Sequence, residues 1–70
     1  MQRHEVASRS LASVGYDAGS RTLEVEFQSG AVYQYAGVPH AVAQSLVRAR
    51  SIGAYFSRFV RDGYEYMRVE

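Results

Sequence analysis

Apolar and polar residues alternate through two runs, Thr22–Phe27 (TLEVEF) and Ala31–Ala36 (AVYQYA), that flank a short polar turn. Leu23, Val25 and Phe27 fall on one side of the first run, and Glu24 and Glu26 on the other. That period belongs to a half-buried strand. Tyr33 and Tyr35 share one side of the second run, with Val32, Gln34 and Ala36 opposite. With Gln28-Ser29-Gly30 between them, the two runs predict a β-hairpin. An earlier alternation over Leu11–Tyr16, followed by Asp17-Ala18-Gly19-Ser20, predicts a strand and turn before the hairpin, with Gly19 suited to a positive φ. Consecutive strands joined by tight turns make an antiparallel meander.

After Gly37-Val38-Pro39 the period changes. Proline cannot donate to a ladder, but it suits the first turn of a helix. Val42, Leu46 and Ala49 recur at i, i+4 and i+7, which predicts a helix from His40 to about Ala49. Ser51 has the chemistry of an N-cap. Ile52, Tyr55, Phe56 and Phe59 follow at i, i+3, i+4 and i+7, the most regular helical stripe in the chain, and are expected to pack on Leu23, Val25 and Phe27. Gly53 inside this second helix costs up to about 1 kcal/mol relative to Ala. It therefore implies a close backbone approach or a tight bend between the helices. Asp62-Gly63 ends the helix, with Gly63 expected as a left-handed cap. Tyr64–Val69 alternates again and reads as a fourth, short strand or an extended tail. Residues 1–9 read as a flexible lead-in. The predicted fold is α+β: one domain over residues 10–70, a three-stranded antiparallel meander followed by two helices packed on one face.

Four pieces of this series resemble the KTSC domain, a module found at the C-terminus of some lysyl-tRNA synthetases and as a stand-alone small bacterial protein. Val14-Gly15-Tyr16-Asp17 looks like its opening strand, and Leu23-Glu24-Val25-Glu26-Phe27 with Gly30 like its central strand and turn. Tyr33-Gln34-Tyr35 with Val38-Pro39 is similar to its Tyr-x-Tyr motif and following Val-Pro. Ser51-Ile52-Gly53-Ala54-Tyr55-Phe56 is similar to its Ser-x-Gly-x-Tyr-Phe element. The ordered combination, from about Leu11 to Tyr66, carries the resemblance, and the tail beyond Tyr66 adds nothing to it. The resemblance implies the fold above, no catalytic residues, and RNA binding as the usual suggestion for the family.

At 70 residues the chain is one small domain. It has no cysteine, so no disulfide or thiolate site supplements the core. No stretch approaches the roughly 20 apolar residues of a membrane span, and the N-terminus lacks the apolar segment of a signal peptide. A cytoplasmic location with no membrane partner is expected. His4 and His40 lie on different predicted elements, so no metal site or cofactor is expected. Glu24 and Glu26 are expected on the exposed side of a strand rather than in a cleft. Ser51, His40 and Asp62 are the residue types of a nucleophilic triad, but no spacing joins them and there is no Gly-x-Ser-x-Gly elbow.

Charge changes the picture by position. The net charge is only +1, yet all eight basic residues are Arg, the side chain suited to phosphate contact and stacking. A coding bias toward Arg gives the same composition. Arg48, Arg50, Arg58 and Arg61 lie between His40 and Arg61 with no acidic residue among them, whereas the hairpin carries two Glu and no Arg. This segregation points to a non-catalytic binding module that takes RNA phosphates on an Arg-rich helical face. The alternative is a protein–protein interaction module with no nucleic-acid role, using an edge strand or the Tyr-rich tail. Tyr33 and Tyr35 are candidate base-stacking residues whose role depends on register. A two-residue Ser29-Gly30 turn places both rings on the exposed Glu24/Glu26 side. A three-residue turn with a bulge at Gly30 places them with Leu23, Val25 and Phe27 in the core. The Gly position favours the bulge.

Overall fold

The computed structural model describes all 70 residues. Five strands form one antiparallel sheet in sequence order: β1 (His4–Glu5), β2 (Leu11–Asp17), β3 (Thr22–Phe27), β4 (Val32–Tyr35) and β5 (Tyr66–Arg68). Helices α1 (His40–Arg48) and α2 (Ile52–Phe59) lie between β4 and β5 in the chain. The class is the α+β one expected, but the strand count is not three. β2, β3 and β4 are the predicted meander, and a strand is added at each edge. β1 is two residues long, too short for alternation to reveal. The lead-in thus pairs with β2 through His4↔Val14 and Glu5↔Ser13. The tail pairs with β4 through Tyr33↔Arg68 and Tyr35↔Tyr66.

The hairpin takes the bulged register. Phe27 N donates to Ala31 O at 2.9 Å and Gly30 N to Phe27 O at 2.9 Å, with Gly30 at φ +95°. Leu23 then faces Tyr35 and Val25 faces Tyr33, so both tyrosines point to the helices. Neither Gly19 nor Gly63 takes the left-handed conformation expected of it; positive φ falls on Arg21, Gly30 and Gly37. In the β2–β3 turn the Asp17 carboxylate accepts from Gly19 N (3.3 Å) and Ser20 Oγ (2.7 Å), and the reversal is completed at Arg21. After α2 the chain stays tightly wound. Val60 N and Arg61 N both donate to Phe56 O, and Gly63 N donates to Val60 O.

Helix α1 follows Pro39 and buries Ala43 and Leu46. Helix α2 is capped by Ser51, whose Oγ accepts from Ala54 N at 3.2 Å. Gly53 lies against the start of β2: a side-chain carbon there would meet Ser10 Oγ at 3.2 Å. The predicted α2 stripe needs one correction. Ile52, Phe56 and Val60 are buried, but Phe59 is 50% exposed. The Phe56 ring sits edge-on to Phe27 (5.5 Å) and Tyr35 (5.4 Å). The buried line runs i, i+4, i+8 through it, and Val60 takes the place predicted for Phe59.

The opposite sheet face carries no helix, yet it is not open. The N-terminal segment crosses it beside Gly15, where any side chain would collide with the Gln2 carbonyl oxygen.

Candidate nucleic-acid interface

The two strand carboxylates are spent inside the fold. Glu24 is 5% exposed, not on a solvated face. It accepts from the Arg3 guanidinium and, at 2.8 Å, from Gln34 Nε2. Arg3 Nε also donates to Ser13 Oγ (3.0 Å), which donates to Glu26 Oε1 (2.8 Å). Burial pushes the Glu24 carboxyl up, but the Gln34 and Arg3 hydrogen bonds and the Arg3 charge outweigh it and hold the group below its ordinary value. The same hydrogen bond raises Arg3 above its ordinary value. A carboxylate fixed in its charged form by a cation has no proton to lend, so this pair is suited to holding the N-terminal segment and not to acid–base work.

The helices carry the arginines. Arg48, Arg50, Arg58 and Arg61 are all exposed. Arg48 ends α1, and Arg50 lies in the turn before α2, where it lines a shallow depression with Arg9, Ser8, Ser10 and Ser51. Arg58 lies in α2, with its guanidinium carbon 5.4 Å from the Phe59 ring centroid. Arg61 follows α2, with only a 3.8 Å contact to exposed Asp62. Eight helical residues span about 12 Å, so the four divide into a pair at each end of α2 and do not form a single cluster.

The tyrosines divide as well. Tyr35 is 3% exposed, and its phenol is pushed up to about 12 by burial, with Tyr33 and Tyr66 adding to the shift. Its ring is closed to a base. Tyr33 is half-buried, edge-on to Phe27 at 5.6 Å. Two exposed rings lie outside the residues predicted to take nucleic acid. Tyr66, 60% exposed, lies 5.6 Å from both Tyr33 and Tyr35; the alternation of the tail was its signal. Phe59 lies 4.7 Å from Tyr55 on α2. No signal marked it, because helical spacing assigned it to the core.

Ser51, His40 and Asp62 stay apart in role. Ser51 caps α2, the His40 ring stacks on Tyr16 at 5.6 Å, and Asp62 contacts Arg61. No three His, Asp or Glu side chains come together in a way that would hold a metal ion. No helix is long and apolar enough to cross a membrane.

A family model described as the KTSC domain matches residues 7–69. The chain belongs to the KTSC domain family. It is 45% identical over 71 residues to an uncharacterized protein of Stutzerimonas stutzeri, and the match covers 100% of each. It is 41% identical over 51 residues to a lysine–tRNA ligase of Trichormus variabilis, covering 73% of this chain but only 9% of the ligase. The crystal structure of a KTSC domain protein from Yersinia pestis superposes with a TM-score of 0.96 at 33% identity, covering 99% of this chain and 97% of that one. The KTSC residues quoted from the sequence occupy structural places: Tyr33 and Tyr35 in the sheet, Ser51 at the α2 cap, Gly53 at the contact with Ser10.

Proposed function

We propose that this KTSC domain is a non-catalytic binding module for RNA, with phosphates taken by Arg58 and Arg61 at one end of α2 and by Arg48 and Arg50 at the other. The observation that carries the reading is the division of charge. Glu24 and Glu26 are tied to Arg3, Gln34 and Ser13 on the sheet face away from the helices, while the helical arginines are exposed and have no carboxylate closer than the long Arg61–Asp62 contact. A local basic surface attracts phosphate even when the whole chain is near neutral. Similarity to a segment of lysine–tRNA ligases supports an RNA context.

Affinity must then fall with salt. Three or four neutralised phosphates on a single strand give a log–log slope of roughly −2 to −3. Titration of labelled RNA at several salt concentrations tests this. Arg58→Ala with Arg61→Ala should weaken binding for every sequence and flatten the slope, since phosphate contacts carry no sequence information. A slope near zero in the wild type refutes the reading. The second reading, protein–protein interaction, rests on β5: it is an edge strand with Tyr66 and Met67 60% and 62% exposed. Wild-type protein that binds no RNA at low salt favours it.

A further inference from the structure

We infer that Arg58 and Phe59 on the exposed side of α2, with the half-buried Tyr55 beside them, form a stacking platform for an unpaired base of single-stranded RNA. This rests on the RNA-binding reading above and adds to it the form of the nucleic acid and the residues that read it. Phe59 is half exposed although Val60 beside it is fully buried, so the chain places a small aliphatic residue in the core and a phenyl ring in solvent. One exposed apolar residue needs no explanation. Here the ring belongs to a group: Tyr55 lies 4.7 Å away, tilted by 42°, and the Arg58 guanidinium lies 5.4 Å from the Phe59 centroid.

Aromatic rings beside an arginine are the parts from which single-strand sites are built, rings for the base faces and cations for the backbone. α2 contains no acidic residue, and none lies in the Ala49–Ser51 turn before it. An anionic ligand therefore meets no acidic side chain within the helix, and Asp62 just after it is in contact with Arg61, whereas an apolar protein partner would cover Arg58 without compensating it. Of the other rings, Tyr35 is closed and Tyr33 is half-buried; Tyr66 is 60% exposed but has no arginine over its ring, as Phe59 has. A base entering over Phe59 displaces the guanidinium from the ring, and the freed Arg58 turns to the adjacent phosphate. Base faces in a duplex are already covered by their neighbours, so the platform selects unpaired RNA.

The test is a titration of the full chain with a labelled ten-nucleotide oligouridine and with a labelled RNA duplex of the same length, at low salt. Wild type should bind the single strand more tightly than the duplex. Phe59→Ala should weaken single-strand binding roughly 5- to 100-fold, the loss of one stacked base. Phe59→Trp should retain binding, and duplex affinity should be the same in all three proteins. The melting temperature of each variant, within a few degrees of wild type, shows that the fold is intact. If Phe59→Ala binds oligouridine like wild type while Arg58→Ala with Arg61→Ala does not, the platform is refuted and RNA binding through phosphates stands. If wild type binds neither RNA, both readings fail.

Discussion

Replacing Arg3 by Met tests the polar network that fixes the N-terminal segment. Met keeps an apolar stem and removes the guanidinium. Arg3 donates to Glu24 and to Ser13, and the Glu24 side chain is 7% exposed against 24% for Arg3. Breaking a fully buried pair costs about 3–5 kcal/mol, and a hydrogen bond to a charged group is worth about 1.5–3. Because water reaches Arg3, the loss should lie near about 2–3 kcal/mol at pH 7. A domain of this size has about 4–10 kcal/mol in total, so the melting temperature should fall by roughly 10–20 °C. The loss should also depend on pH. Glu24 in the folded wild type is held below its ordinary value. Its contribution is therefore fully present above the unfolded carboxyl's titration near about 4.3, and it is lost as pH falls through the lower folded value. Without Arg3, the hydrogen bond and charge that help lower the carboxyl are lost, so it sits higher than in wild type. The deficit of the variant is then largest at neutral pH and shrinks in acid. Melts of both proteins from pH 7 to pH 3 should show the gap closing below about pH 4. A gap that stays constant over that range, or a variant within 2 °C of wild type at pH 7 (a shift of roughly 0.5 kcal/mol or less), refutes the account.

Phe56→Ala should cost about 3–5 kcal/mol, because its ring is buried between Phe27 and Tyr35, whereas Phe59→Ala should stay within about 0.5 kcal/mol of wild type; equal losses in urea titrations would contradict the burial pattern of α2. Gly15→Ala should cost about 1–3 kcal/mol through overpacking and detach β1, seen as faster exchange of the Val6 amide that now donates to Ala12 O; an unchanged exchange rate would show that the N-terminal segment is not held against Gly15.

The central meander was legible because each strand carries its own alternation and because Gly30 specified the bulge. That bulge decided which way Tyr33 and Tyr35 face. Ser51 and Gly53 were legible for the same local reason: a cap and a close approach are properties of single residues. What local pattern did not show was tertiary. Two residues at His4–Glu5 have no period, and the partners that fix them lie on β2. Glu24 looked exposed because alternation says which face a side chain takes, not whether that face is covered; Arg3 and Gln34 cover it. Phe59 fitted the α2 stripe as well as Val60 did. The choice between them depends on where the sheet presents Phe27 and Tyr35 to Phe56, which helical spacing does not contain. The same geometry left Phe59, predicted for the core, exposed beside Arg58.

Net charge understates what a ligand meets at α2. Glu24 and Glu26 lie on the sheet face away from the helices, with the sheet between them and a phosphate approaching α2. The Glu24 charge is also compensated by Arg3, and Glu26 accepts a hydrogen bond from Ser13. On the helical side, the one ion pair is the 3.8 Å contact of Arg61, just after α2, with exposed Asp62. The Arg3–Glu24 pair thus has two consequences. It holds the N-terminal segment across Gly15, and it keeps the strand acid from opposing an anion on the other side. The ion pair and the exposed arginines of the helical half are two sides of one partition of charge across the sheet.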